Sequence, residues 1–279
     1  MKIQREIYFG ANRRESLYEL SSLAKHRELI VFTHGFMGFM DWGAWHLVRD
    51  FFTARGFDFC RFNLSHNGGT VSNPIDFTDE KAFGQNTYSK ELEDISSLLN
   101  HLESQHRTYQ KIHLIGHSRG GGMSILAAQQ WQCKSHLGQI CTWAAICDIE
   151  RRFPKEMELE EWKRSGIRLI KNGRTGQQLP QYYSLYEDYI LSKNKLDILA
   201  AAKAIGEQLH LFHGDQDTSV PISEGYELQA VSGAQLHQIQ GADHVFGAQH
   251  PWAQQHLPFH LKTLCEQTLN CLQTKKASI

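Results

Sequence analysis

Residues 114–122 read Leu-Ile-Gly-His-Ser-Arg-Gly-Gly-Gly, a pattern that is weak alone but restricts the fold where a strand runs into it and a helix leaves it. An apolar strand, Lys111 to Ile115, runs straight into them, and an amphipathic helix to about Trp131 follows. Glycine costs about 1 kcal/mol relative to alanine inside a helix, so a cluster of glycines at a helix start answers a geometric need. A strand that turns at once into a helix, with one residue held in strained φ/ψ at the apex, needs neighbours without side chains. Gly116 and Gly120 supply that room, and Gly121 and Gly122 let the helix approach other backbone. Ser118 then projects above the carboxyl edge of a sheet, beside the free N–H groups and positive dipole end of the new helix.

The rest of the chain fits such a sheet. Short apolar runs alternate with helical periodicity, the pattern of stacked βαβ units and a mostly parallel sheet. Strands are expected at Leu29–Thr33, Phe57–Phe62, Gln139–Cys147, Leu209–Phe212 and, more weakly, Leu236–Ile239. Helices are expected from about Ala44 to Gly56, from Tyr88 to His106 with Leu92, Ile95, Leu98, Leu99 and Leu102 on one face, and through Leu257–Leu272. From Asn63 to Asn86 the sequence reads as a long loop. Between about residues 150 and 204 the alternation breaks into a charged helix (Lys155–Arg164), a hairpin turning at Asn172-Gly173 and a tyrosine-rich stretch, Tyr182 to Tyr189. This stretch is read as a small cap inserted into a single α/β domain spanning residues 1–279.

A serine hydroxyl needs a base, and the base needs an orienting acid. In sheet-based hydrolases these follow the serine in the order acid, then histidine. The strand Leu209–Phe212 ends in His213-Gly-Asp-Gln-Asp217, and Gly241-Ala-Asp-His244 follows the next strand. Asp217 and His244 are therefore the expected acid and base; Asp215 and Asp148 are the other acids, and His250 and His213 the other histidines, that the order allows. An oxyanion hole takes one N–H from the residue after the serine, Arg119, and one from the loop after an earlier strand. In His34-Gly35-Phe36-Met37-Gly38 the second donor is Phe36, with Met37 the alternative.

Composition removes other classes. With 29 Lys and Arg against 30 Asp and Glu, net charge −1 offers no field for nucleic acid or anionic lipid. No run approaches the ~18 apolar residues of a membrane span, and the start of the chain lacks a signal-type apolar segment. Six cysteines (60, 133, 141, 147, 265 and 271) include no C-x-x-C pair, which implies buried thiols in a reducing cytoplasm. Histidines are scattered singly and no residue set has metal-ligand spacing, so neither metal nor organic cofactor is expected.

Together, Thr33-His-Gly-Phe-Met-Gly, Gly116-His-Ser-Arg-Gly-Gly, His213-Gly-Asp-Gln-Asp and Asp243-His244 resemble the α/β-hydrolase superfamily over roughly residues 29–272. Within it the chain is similar to compact esterases of the cinnamoyl and feruloyl type and to serine-aminopeptidase-like hydrolases. The resemblance implies Ser118 as nucleophile, Asp217 and His244 as its partners, and Phe36 and Arg119 as oxyanion donors. It implies hydrolysis of a small-molecule ester. Amide or peptide cleavage is the second reading, for which Asp41, Asp215 and Glu150 are candidate partners of a substrate ammonium; a non-catalytic binding protein is the third. In place of the short glycine-serine pattern common after the second hydrolase strand, this chain has Asn63-Leu-Ser-His-Asn-Gly-Gly-Thr-Val-Ser-Asn-Pro74. Residues 151–174 carry eight Lys or Arg against four Glu, read as a solvated face that could also attract carboxylate-bearing substrates.

Overall fold

The computed structural model describes residues 2–22, 28–104, 109–132 and 136–273; Cys133 and the expected helix end at His106 lie outside these. Strands β1 (Lys2–Phe9) and β2 (Glu15–Ser22) form an antiparallel hairpin that joins the sheet through β4 (Asp58–Phe62). The sequence pattern predicts no strand in this hairpin. Its alternation of apolar and charged residues is that of an edge ribbon whose outward side chains find partners elsewhere. Glu19 on β2, only 2% exposed, accepts hydrogen bonds from Arg5, Arg49 and Arg61. Burial alone would raise its carboxyl, but these guanidinium contacts hold it down at about 2.

The parallel part follows as β3 (Glu28–Thr33), α1 (Trp45–Thr53), β4, a long loop holding only the short α2 (Glu80–Gly84), α3 (Tyr88–Ser104), β5 (Lys111–His117), α4 (Arg119–Gln130) and β6 (Leu137–Trp143). The apolar face of α3 is buried as its spacing requires, from Tyr88 through Leu102. The sheet runs in the order β1-β2-β4-β3-β5-β6-β9-β10, with β9 (Leu209–Gly214) and β10 (Gln235–Ile239) closing it. The chain winds from β3 outward to β4, then returns to place β5 on the other side of β3. Such a reversal opens a crevice at the carboxyl ends of the two central strands, the usual ligand position in open α/β sheets.

One strand boundary differs from expectation. β6 ends at Trp143 instead of Cys147, because Ala144 takes a left-handed φ of 51° and its N–H turns to the Phe212 carbonyl. Between β6 and β9 the chain leaves the sheet for α5 (Glu156–Ser165), the hairpin of β7 (Ile167–Lys171) and β8 (Gln178–Tyr182), α6 (Ser184–Ser192) and α7 (Ile198–Ile205). Helix α8 (Ile222–Ser232) follows β9, and α9 (Phe259–Gln273) ends the described chain. Apolar side chains cover both faces of the sheet: Ile95, Leu98, Met123 and Ile125 pack on one, Phe52, Trp45, Trp143 and Leu261 on the other. Each such side chain contributes about 1.5–3 kcal/mol on burial. Among the described residues, no helix is long and apolar enough to cross a membrane.

Candidate active site

Ser118 caps α4 with φ 58° and ψ −124°, backbone space that costs a non-glycine residue about 1–3 kcal/mol. The surroundings enforce it. Its N–H donates to the Trp143 carbonyl at 2.8 Å, and its carbonyl accepts from Gly121 at 3.0 Å and Ile146 at 3.3 Å. A Cβ on Gly116 would lie 2.3 Å from the Gly120 carbonyl oxygen, and one on Gly120 would lie 2.3 Å from that of His34. Neither position can carry a side chain while β5, α4 and the loop after β3 stay in place.

Three side chains from distant segments meet here. His244 Nε2 lies 2.9 Å from Ser118 Oγ, and its Nδ1 lies 2.7 Å from Asp217 Oδ2. Asp217, in the turn after β9, is 8% exposed, and its Oδ1 accepts the N–H groups of Ser219 and Val220 at 2.8 and 2.9 Å. Burial works against its charge, but the His213 and His244 rings and the Val220 N–H hold its carboxyl well below the usual range. An ionised carboxylate only accepts, so His244 Nδ1 donates to it and Nε2 is left to accept the Ser118 hydroxyl proton.

The other candidates stand elsewhere. His213 lies behind Asp217, its Nε2 donating to the Val220 carbonyl at 2.8 Å. His250 accepts the Gly43 N–H, Asp215 accepts the Gly241 N–H, and Asp148 accepts the Glu150 N–H while pairing with Arg151. Of the candidate partners for an ammonium, Asp41 is bound by Arg5 and Arg61, Glu150 by Lys193, and neither lines the cleft at Ser118.

His117 is a neighbour that the sequence alone does not mark as part of the site. Its Nε2 donates to the His244 backbone carbonyl at 2.8 Å, and burial pushes the ring down to about 3, so it stays neutral. It braces the segment carrying His244 from directly beside Ser118. Only its place inside the glycine-flanked motif could have drawn attention to it.

The loop after β3 packs hard against Ser118: a Cβ on Gly35 would be 2.9 Å from the Ser118 Cβ. His34 sets the loop's direction. Its Nε2 accepts the Leu64 N–H, so Nδ1 carries the proton and donates to the Gly35 carbonyl at 2.9 Å. Gly38 N–H donates to the same oxygen. With that carbonyl pinned, the N–H of Phe36 across the planar trans peptide points the opposite way. Arg119 opens α4, where first-turn N–H groups have no acceptor within the helix. Met37, the alternative donor, takes φ 55°.

These groups line a cleft of about 450 Å³. Phe36, Tyr88, Ile146, Phe153, Leu185 and Val220 give it apolar walls, while Arg119, Arg152 and Arg168 bring guanidinium groups. Phe36 stacks on the Arg119 guanidinium at 4.1 Å. Apart from the cleft, His210, His237 and Cys271 bring ligand atoms within 4.8 Å of one another. Their spacing in sequence gave no such sign, because β9, β10 and α9 assemble them.

The sequence matches the model of the serine aminopeptidase S33 family over residues 24–192. Among solved structures, Est1E from Butyrivibrio proteoclasticus, determined with ferulic acid bound, is 16% identical and superposes with a TM-score of 0.69, covering 96% of this chain and 100% of that one. Alpha/beta hydrolase domain-containing protein 10 from mouse is 17% identical at a TM-score of 0.68, covering 96% and 97% of the two chains. The esterase domain of a Rhodothermus marinus protein is 17% identical at 0.58, covering 88% and 91%. At such identities the superpositions speak for the fold alone. No curated protein sequence matches. Since the family match covers well over half of the chain, the protein belongs to the serine aminopeptidase S33 family and is a hydrolase of the α/β-hydrolase fold.

Proposed function

We propose that the protein hydrolyses carboxylic esters of small molecules, with Ser118 as nucleophile, His244 as general base and Asp217 as the acid that orients it. The single observation that carries this reading is the unbroken hydrogen-bonded line from Asp217 through His244 to Ser118, ending in an open cleft. Ser118 Oγ attacks the ester carbonyl as His244 Nε2 takes its proton. The oxyanion is stabilised by the N–H groups of Phe36 and Arg119, each donor contributing on the order of 3 kcal/mol to the transition state. Collapse breaks the bond to the alcohol, which leaves with the proton from His244. Water, deprotonated by His244, then attacks the acyl group, and Ser118 recovers its proton as the carboxylic acid departs. No step calls for a metal or organic cofactor.

An aminopeptidase reading would use the same groups but requires an anion to hold the substrate ammonium. Asp41, Asp215 and Glu150 are engaged elsewhere, and the ionic side chains lining the cleft besides His244 are arginines, which favours an ester. The ferulic acid bound to Est1E and the aromatic walls here, Tyr88 and Phe153, make an aromatic acyl group a reasonable first substrate. We further propose that residues 150–204 act as a cap over this cleft, and that the protein works in the cytoplasm, where the buried thiols of Cys60, Cys141, Cys147 and Cys265 would stay reduced.

A fluorophosphonate, located by peptide mass spectrometry, should label Ser118. Short-acyl, long-acyl and cinnamoyl esters, run beside aminoacyl anilides, should be cleaved by the wild type with esters preferred. Ser118→Ala should lower kcat/KM by about 10⁶-fold without loss of folding. Labelling elsewhere, or undiminished turnover in the variant, defeats the proposal.

A further inference from the structure

The three cleft arginines are not equivalent. Arg119 pairs with the buried carboxylate of Glu91 at 3.2 Å and is sandwiched between the Phe36 and Tyr88 rings. Arg152 pairs with Glu224, whose other oxygen accepts the Cys147 N–H. Both charges are thereby answered inside the protein. Arg168 is different: among the described residues no carboxylate comes within 4 Å of it, and Glu158 acts on it only through space.

Arg168 is nonetheless held in a fixed pose. It stands on β7 directly across from Gln181 of β8. Its Nε and Nη2 both donate to Gln181 Oε1, at 2.8 and 2.5 Å. The guanidinium lies 4.2 Å over the ring of Trp162, and Trp162 Nε1 donates to the Gln181 backbone carbonyl, tying the three residues into one unit. Burial, aided by the nearby charge of Arg119, pulls Arg168 below the ordinary arginine value, as befits a cation lacking a counter-ion. Of its five N–H groups, Gln181 occupies the Nε/Nη2 edge. The Nη1/Nη2 end remains, and that planar fork matches a carboxylate bidentately.

We propose that the substrate is an ester bearing a free carboxylate, which the Nη1/Nη2 fork of Arg168 binds while the ester carbonyl lies at Ser118. This rests on the ester-hydrolase reading above and adds the substrate class. A half-buried, pre-oriented guanidinium in the wall of the cleft that holds Ser118 is unanswered in the free protein, and an anionic substrate completes it. A substrate ammonium would meet repulsion at the same place.

The test uses matched pairs of esters. On the acyl side, 4-nitrophenyl valerate is compared with the 4-nitrophenyl monoester of glutarate; on the alcohol side, phenyl acetate with 4-acetoxybenzoate. For wild type, kcat/KM should favour the anionic member of one pair, and that pair identifies which side of the ester carries the charge. Arg168→Gln should reduce the anionic-to-neutral ratio about tenfold or more, the effect of losing a charged hydrogen-bonded pair, while neutral esters change less than about twofold. Arg168→Lys should restore only part of the preference, since it returns the charge without the fork. An unchanged ratio in Arg168→Gln on both pairs overturns the assignment while leaving the hydrolase reading intact. If wild type turns over none of the four esters, the hydrolase reading fails first, and calorimetry then decides the site: glutarate must bind tighter than glutaramide to wild type and not to Arg168→Gln, and equal or absent binding overturns it.

Discussion

Two regions meet at Ser118 and are built on opposite plans. The loop after β3 and the turn from β5 into α4 are made of backbone packed against backbone, with Gly35, Gly116 and Gly120 at separations that admit no Cβ. The segment between β6 and β9 reaches the same cleft with long side chains: Arg152, Phe153, Arg168, Gln181 and Leu185. In the proposed mechanism the main chain sets where the reacting groups stand, and the side chains of the facing wall select what reaches them. On that reading the contrast separates chemistry from selectivity within a single cleft.

The sharpest way to break this comparison is to disturb chemistry while sparing geometry. Asp217→Asn preserves shape but offers an amide where His244 needs a carboxylate, so kcat should fall by about 10⁴-fold with little change in KM; a loss under tenfold in steady-state assays would detach Asp217 from the relay. Next in size is Gly120→Ala. Its Cβ would lie 2.3 Å from the His34 carbonyl oxygen, so the fold should lose about 3 kcal/mol, read by denaturant unfolding. Full stability in that variant would mean that the backbone-built half yields more readily than its packing implies.

Acid should also find the backbone-built half. Burial keeps His34 and His66 down at about 4 and His117 at about 3. Folded values below the unfolded 6.5 stabilise the protein above about pH 6.5, and that contribution is lost as pH falls toward 4. Asp94 runs the other way. Burial outweighs its bonds from Ala11 and Ser65 and lifts it to about 7, so its favourable contribution is complete at low pH and is lost as pH rises through 7. Over these four groups the sum is a net fall on the order of 3 kcal/mol between pH 7 and pH 5, and Asp94→Asn should make that fall steeper. Denaturant midpoints at the two pH values measure it. The smallest effect belongs to the facing wall's outer surface: Leu191 on α6 is 87% exposed, and Leu191→Ser should change stability by less than about 0.5 kcal/mol and leave kcat/KM alone.

How much of this could be read in the sequence follows the same division. Buried parallel strands such as β3, β5 and β9 appear as apolar runs, and backbone crowding appears as glycine, so Ser118 and the loop holding Phe36 stand out locally. Asp217 and His244 could be placed because each follows a strand in a fixed order. The β1–β2 hairpin could not, since Arg5 on β1 is satisfied by Glu19 and by Asp41, 36 residues away. From the sequence alone Arg168 reads as part of a solvated face, because only the hairpin and Trp162 reveal what it stacks on. Helix α7 left a usable sign: Asp197 caps it through the Ala200 N–H just before an alanine-rich run.

Where the segment between β6 and β9 attaches also limits how it moves. On leaving the sheet, Ala145 and Ile146 rest on Gly121 and Gly122 of α4; before returning, Ile198 of α7 rests on the same Gly122. Both ends of this segment thus rest on α4, the helix that Ser118 caps. With both ends so seated, any movement of the proposed cap that admits a ligand is expected in the span between them, not at its ends.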